Sequence, residues 1–203
     1  MIVTNYTPEN LKKLPLRAIV ALAARCARQV EHLALLPDNH PESQRCRAAV
    51  TNALRLAEDF AKGVPCSPSG SVVHEVETYW AVAEGDFLRA SAMGAIALAA
   101  RAAATAERAL EARAEKEEPH LFGAPKPNPF PHLGDVTADL AARDAFTSAL
   151  EAADAEGHSD AFITGAMDDY EKLVRLNLGS YPEAGKPIDP SGDGPLGRRE
   201  PIR

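Results

Sequence analysis

The sequence predicts an all-α protein, a bundle of about five or six helices. Apolar residues recur every three or four positions across most of residues 15–177, the spacing of one helix face. Alanine is abundant while aromatics make up only 5% of the chain, and sheets draw on β-branched and aromatic side chains. Proline and glycine gather between the periodic segments rather than inside them, where they would break helices. With 203 residues, the chain can bury most of its apolar surface without disulfides or metals. A core of alanine methyls requires close helix approach, because each methyl buries little area.

Residues 1–14 form a lead-in, with one short turn begun at Thr7-Pro8-Glu9. The first long helix is expected over 15–36, since Pro15 suits a first helical position and Pro37 ends the segment. Its apolar arc holds Ile19, Leu22, Cys26, Val30 and Leu33. A turn over Pro37-Asp38-Asn39-His40-Pro41 leads into a second helix over 41–62, stopped by Gly63. Cys46, Ala49, Val50, Ala53, Leu54, Ala57 and Phe60 form its stripe. A short link between two amphipathic helices predicts an N-terminal antiparallel helical hairpin. After a loop from Val64 to Gly70, a third helix begins near the capping residue Ser71 and turns Val72, Val76, Tyr79, Trp80 and Ala83 inward.

Gly85-Asp86 marks a break. The helix expected next, over 87–116, is nearly continuous alanine between Ala90 and Ala114. Small residues on every side make it the long Ala-rich central helix. Residues 118–134 are too rich in proline for helix. A fifth helix is expected over 135–156, ended by Gly157, and a sixth over 159–177, ended by Gly179. Residues 1–179 therefore read as a single helical domain. Residues 180–203 read as a disordered tail that adds little to the core, because Tyr181 to Arg203 contains five prolines and four glycines.

The net charge of −7 argues against a nucleic-acid binder, which should be basic. Residues 1–63 carry 9 Lys+Arg against 6 Asp+Glu, and the remainder carries 13 against 23. The N-terminal part can thus present a locally basic face on an acidic molecule. The three cysteines, Cys26, Cys46 and Cys66, show no CxxC spacing and describe neither a disulfide framework nor a zinc site. Cys66, in a loop, is the candidate for an exposed thiol. The first residues lack a signal pattern, and the apolar run from Leu16 to Ala24 is too short to span a membrane. The expectation is a cytoplasmic protein with no membrane association.

Catalytic and cofactor motifs fail on context. Gly192, Gly194 and Gly197 spell GxGxxG, but no strand precedes them and Pro195 sits inside the pattern. His74-Glu75 has Thr78 where a zinc helix needs its second histidine. Glu117 and His120 have di-iron spacing, interrupted by Pro119. Asp154, His158 and Asp160 could orient a histidine base, but a helix that ends at Gly157 accounts for them better. No catalytic residue, metal or cofactor is expected.

The polar feature that remains is a stripe on the first helix. Arg17, Arg25, Arg28 and His32 occupy one arc, away from Ile19, Leu22, Cys26 and Val30. They are the candidate partner-binding residues, because arginine pairs well with carboxylates and phosphates. The competing account pairs the stripe internally with acidic residues of the last two helices. Trp80, the only tryptophan, reads as core, with an apolar ligand pocket beside it as the lesser option.

Leu22-Ala23-Ala24-Arg25-Cys26-Ala27-Arg28-Gln29-Val30 is followed by the Pro37–Pro41 turn. Then come Ala53-Leu54-Arg55-Leu56-Ala57-Glu58-Asp59-Phe60-Ala61-Lys62-Gly63 and the long Ala-rich helix. This order resembles the all-α immunity proteins of the Imm5 type, found beside polymorphic toxins. It is also similar to Ala-rich helical proteins of unknown function from planctomycete-type bacteria. The resemblance covers about residues 16–115. It departs at Arg25, where an acidic residue is expected before the cysteine, and at Phe60, where tryptophan is expected. It carries no catalytic residues and implies a non-enzymatic binder that neutralises a toxin. The function expected is therefore a protein-binding helical domain. The alternatives are a small-molecule-binding bundle with an apolar pocket near Trp80 and a helical hydrolase using acid/His chemistry.

Overall fold

The computed structural model describes residues 8–66, 69–117 and 137–199. Among these the architecture is all-α, as the periodicity requires, and no strand occurs. The helices are α1 (Pro8–Leu11), α2 (Leu16–Gln29), α3 (Glu31–Ala34), α4 (Ser43–Lys62), α5 (Ser69–Val82), α6 (Phe87–Glu117), α7 (Ala138–Ala155) and α8 (Ser159–Arg175). A 3-10 turn over Ala83–Gly85 joins α5 to α6. The proline-rich stretch 118–134, Thr7 and residues 200–203 lie outside the described residues.

The Ala-rich helix α6 is the centre of the bundle. It packs against α2, α3, α4, α5 and α7. From Ser91 to Ala100 every residue is buried, so this stretch has no solvent face. Only small side chains allow so many neighbours to approach one helix. Gly94 shows the limit: a Cβ there would come within 3.1 Å of the Trp80 ring, so the indole lies directly on the bare backbone. α6 is long and apolar enough to cross a membrane by length and composition, and 72% of that apolar window is buried inside the bundle.

The N-terminal hairpin forms with one change. Arg17 lies against Gly63, Arg28 pairs with Glu58, and Cys46 lies near the Ala34 carbonyl, so α2 and α4 run in opposite senses. The single helix expected over 15–36 is instead broken at Val30 (φ −106, ψ 6). The one-turn α3 that follows packs on α6 and buries Ala34. Two helix ends follow the glycines, while the last helix, expected over 159–177 and ended by Gly179, stops at Arg175, with Asn177 at φ +45. Gly63 adopts φ +75 and donates to the Phe60 carbonyl, while Val64 donates to Asp59. Gly157 adopts φ +79 and donates to Asp154, while His158 donates to Ala153. Both are left-handed stops that satisfy otherwise orphaned carbonyls.

The expectation of a disordered C-terminal tail is corrected over residues 180–199. This segment contains almost no regular structure, yet Ile188 and Leu196 are 3% and 1% exposed. The reason lies partly at the start of α2. Pro15 offers no side-chain cap, so the first helical N–H groups need outside acceptors. Leu16 and Arg17 donate to the Glu183 and Ala184 carbonyls at 2.9 and 3.0 Å. Further along, Ile188 donates to the Ala61 carbonyl at 2.9 Å, and Lys172 Nζ reaches the Leu196 carbonyl at 3.1 Å. The tail thereby covers the side of α2 that would otherwise face solvent.

Candidate functional site

The tail divides the predicted basic stripe. Arg17 donates from Nη1 to the Gly185 carbonyl at 2.7 Å and is committed to the tail. Arg25 is 6% exposed and hydrogen-bonds the Asp169 carboxylate of α8 through Nε and Nη2, the second at 3.2 Å. Its Nη1 also donates to the Pro190 and Gly197 carbonyls at 2.9 and 3.0 Å. His32 is exposed on α3 and lines no part of the cleft described below. Only Arg28 stays open to solvent at the end of α2. The four residues thus do not form one docking face, and Arg25 is a staple between α2, α8 and the tail.

A cleft of about 480 Å³ opens where the C-terminal end of α2, the start of α3, α4 and the loop 190–199 meet. Arg25, Arg28, Arg198 and Arg199 contribute its cations; Glu31, Glu58 and Asp193 contribute its carboxylates. Arg28 donates from Nε to Glu58 at 2.7 Å and from Nη1 to Glu31 at 2.9 Å. Burial works against its charge, but the bonds and charges of Glu58 and then Glu31 outweigh burial and hold its pKa above the ordinary arginine value. Arg199 lies 3.3 Å from Asp169. With the Gln29 amide oriented to accept, Gln29 takes a hydrogen bond from Arg199 Nε at 3.2 Å. Arg198 is exposed at the rim. A buried Arg25–Asp169–Arg199 cluster therefore fixes the floor, and Arg28 and Arg198 present guanidinium groups above it.

The glycine pattern in this loop has a structural cause. A Cβ on Gly194 would strike the Asp189 carbonyl, and Gly197 adopts φ +76. The glycines make the sharp turn that brings Arg198 and Arg199 back toward α2. Comparison with known proteins finds no matching family, curated protein or solved structure.

Sequence reasoning missed Asp169, Gln29, Arg198 and Arg199. Asp169 carried a signal: it falls at helical spacing among Phe162, Ala166 and Leu173, which are all buried. A charge on an apolar stripe calls for a buried partner. Gln29 follows Arg25 by one helical turn and so shares its face. Arg198 and Arg199 had no periodicity to place them.

The other candidates resolve as structure. Cys66 is buried rather than exposed, and its Sγ lies 3.5 Å from the Leu56 carbonyl. Burial, then the charges of Glu107 and Asp59, push its thiol up to about 12. His74 is exposed, and Thr78 returns its hydroxyl to the His74 carbonyl. Asp154 and His158 flank the helix stop at Gly157 through their backbones.

Proposed function

We propose that this protein is a non-enzymatic binding domain that seats an acidic segment of a partner protein in the arginine cleft. The observation that supports this reading is the placement of Arg28 and Arg198 above a floor in which two arginines share the single carboxylate of Asp169 and so keep a positive charge. Arginine offers a planar fork that matches a carboxylate, and it is favoured as an interface anchor. The neighbouring Glu31, Glu58 and Asp193 select against a densely anionic polymer and favour a polypeptide with spaced carboxylates. The resemblance over residues 16–115 makes a toxin the partner class to test first, by co-expression and recovery of growth.

A defined probe tests the chemistry without a known partner. A fluorescent peptide with spaced glutamates is titrated against the full chain, beside its glutamine counterpart. The glutamate peptide binds, weakens as salt rises, and weakens further with Arg198→Glu, while the melting temperature of that variant is unchanged. Equal affinity for both peptides, or no effect of Arg198→Glu, would rule out the cleft as an acidic-segment site.

A further inference from the structure

A second cavity of about 300 Å³ lies on another side of the bundle. The turn after α3, the first turn of α4, the end of α5 and the start of α6 enclose it. Leu36, Met93 and Cys46 form an apolar wall, with Met93 and Cys46 fully buried. Burial raises the Cys46 thiol pKa and keeps that wall uncharged. Val82, 72% exposed, stands at the mouth. Trp80 takes no part in the lining, because its ring lies on Gly94.

The polar groups at this cavity are few. Among the described residues Arg89 supplies the full positive charge on the wall. Its Nη1 is 3.2 Å from Asp86, and its Nε is shut from solvent with no acceptor among the described residues. His40 Nδ1 accepts the Glu42 N–H at 3.1 Å. The Tyr79 hydroxyl donates to Glu42 at 3.3 Å. With the Tyr79 proton taken by Glu42, Arg89 is the donor that the cavity offers beside a buried apolar wall.

We propose that this cavity binds a small monocarboxylate with an apolar body, its carboxylate on Arg89 and its body against Leu36, Cys46 and Met93. The volume stands at the small end of ligand sites, which span roughly 300–1,000 Å³. That fits a medium-length acyl chain or a single aromatic ring. A phosphate would leave most of its oxygens facing apolar atoms without donors. A cation would meet the Arg89 charge. The site is separate from the arginine cleft and does not depend on how that cleft is used.

Calorimetric titration of the full chain with decanoate tests the assignment, with decanol and acetate as comparators. Decanoate is expected to bind saturably at one site, about tenfold or more tighter than decanol, with acetate too weak to measure. Arg89→Met keeps the aliphatic stem and should weaken decanoate by about tenfold, the loss of one charge-assisted hydrogen bond, while leaving decanol unchanged. Arg89→Lys should recover part of the loss. Arg89→Gln gives the same readout should the methionine variant melt lower. Decanol binding as tightly as decanoate, undiminished decanoate binding by Arg89→Met and Arg89→Gln, or no saturable decanoate binding would each overturn the proposal.

Discussion

The guanidinium of Arg25 and the carboxylate of Asp169 tolerate burial because each pairs with the other. Asp169 is 1% exposed and also faces Arg199. Asp169→Ala would leave two arginines without a counter-charge, a loss of roughly 3–5 kcal/mol. In a chain of this size that lowers the melting temperature by roughly ten degrees. Arg28→Gln at the half-exposed end of α2 loses partly exposed ion pairs without setting like charges together, and should cost about 1 kcal/mol. Calorimetry on both variants checks the contrast, and equal losses would contradict it. The split was partly legible. At about 100° per residue, Arg25 sits at the edge of the polar arc, about 60° from Leu22, while Arg28 sits opposite the apolar side. The choice of Asp169 as partner was not legible, because it depends on how α8 and the tail meet α2.

Cys66 gives a second test at the same scale. Its thiol ionises near 9.0 when unfolded and at about 12 when folded. The folded pKa is raised, so the stability this group contributes is present below pH 9 and is lost as pH rises toward 12. At pH 8 the folded protein should resist iodoacetamide at Cys66, and denaturant should release the reaction. Mass spectrometry locates the adduct; rapid labelling of Cys66 in the folded chain would contradict its burial.

At the scale of elements, α4 and α7 follow their sequence patterns because each carries a periodic apolar face and a glycine stop. Gly63 and Gly157 end α4 and α7 where the sequence placed them. The break at Val30 was not visible, since apolar spacing continues through it to Leu33. The tail misled more. Its proline and glycine content reads as disorder, but Ile188 and Leu196 anchor it and its carbonyls cap α2. Truncation after Gly179 should therefore destabilise the fold. The loss of those two anchors removes about 3–6 kcal/mol of apolar burial, offset in part by the ordering entropy that the tail no longer costs, and Leu16 and Arg17 lose their acceptors as well. An unchanged melting temperature would show the tail to be dispensable.

At the scale of the molecule, a chain of net charge −7 concentrates four arginines around one cleft. The helical class was legible from spacing and composition alone. The cleft was not, because two of its arginines come from a segment with no periodicity, at the far end of the chain from α2. Long-range attraction to an acidic partner would be weak for such a molecule, so recognition must rest on short-range contacts inside the cleft. Backbone amide spectra of the full chain, recorded as the spaced-glutamate peptide is added, test that account most directly. It predicts shifts concentrated at Arg28, Gln29, Asp193 and Arg198, lost with the Arg28→Glu/Arg198→Glu double variant. No shifts at these positions, or shifts centred elsewhere on the bundle, would contradict it.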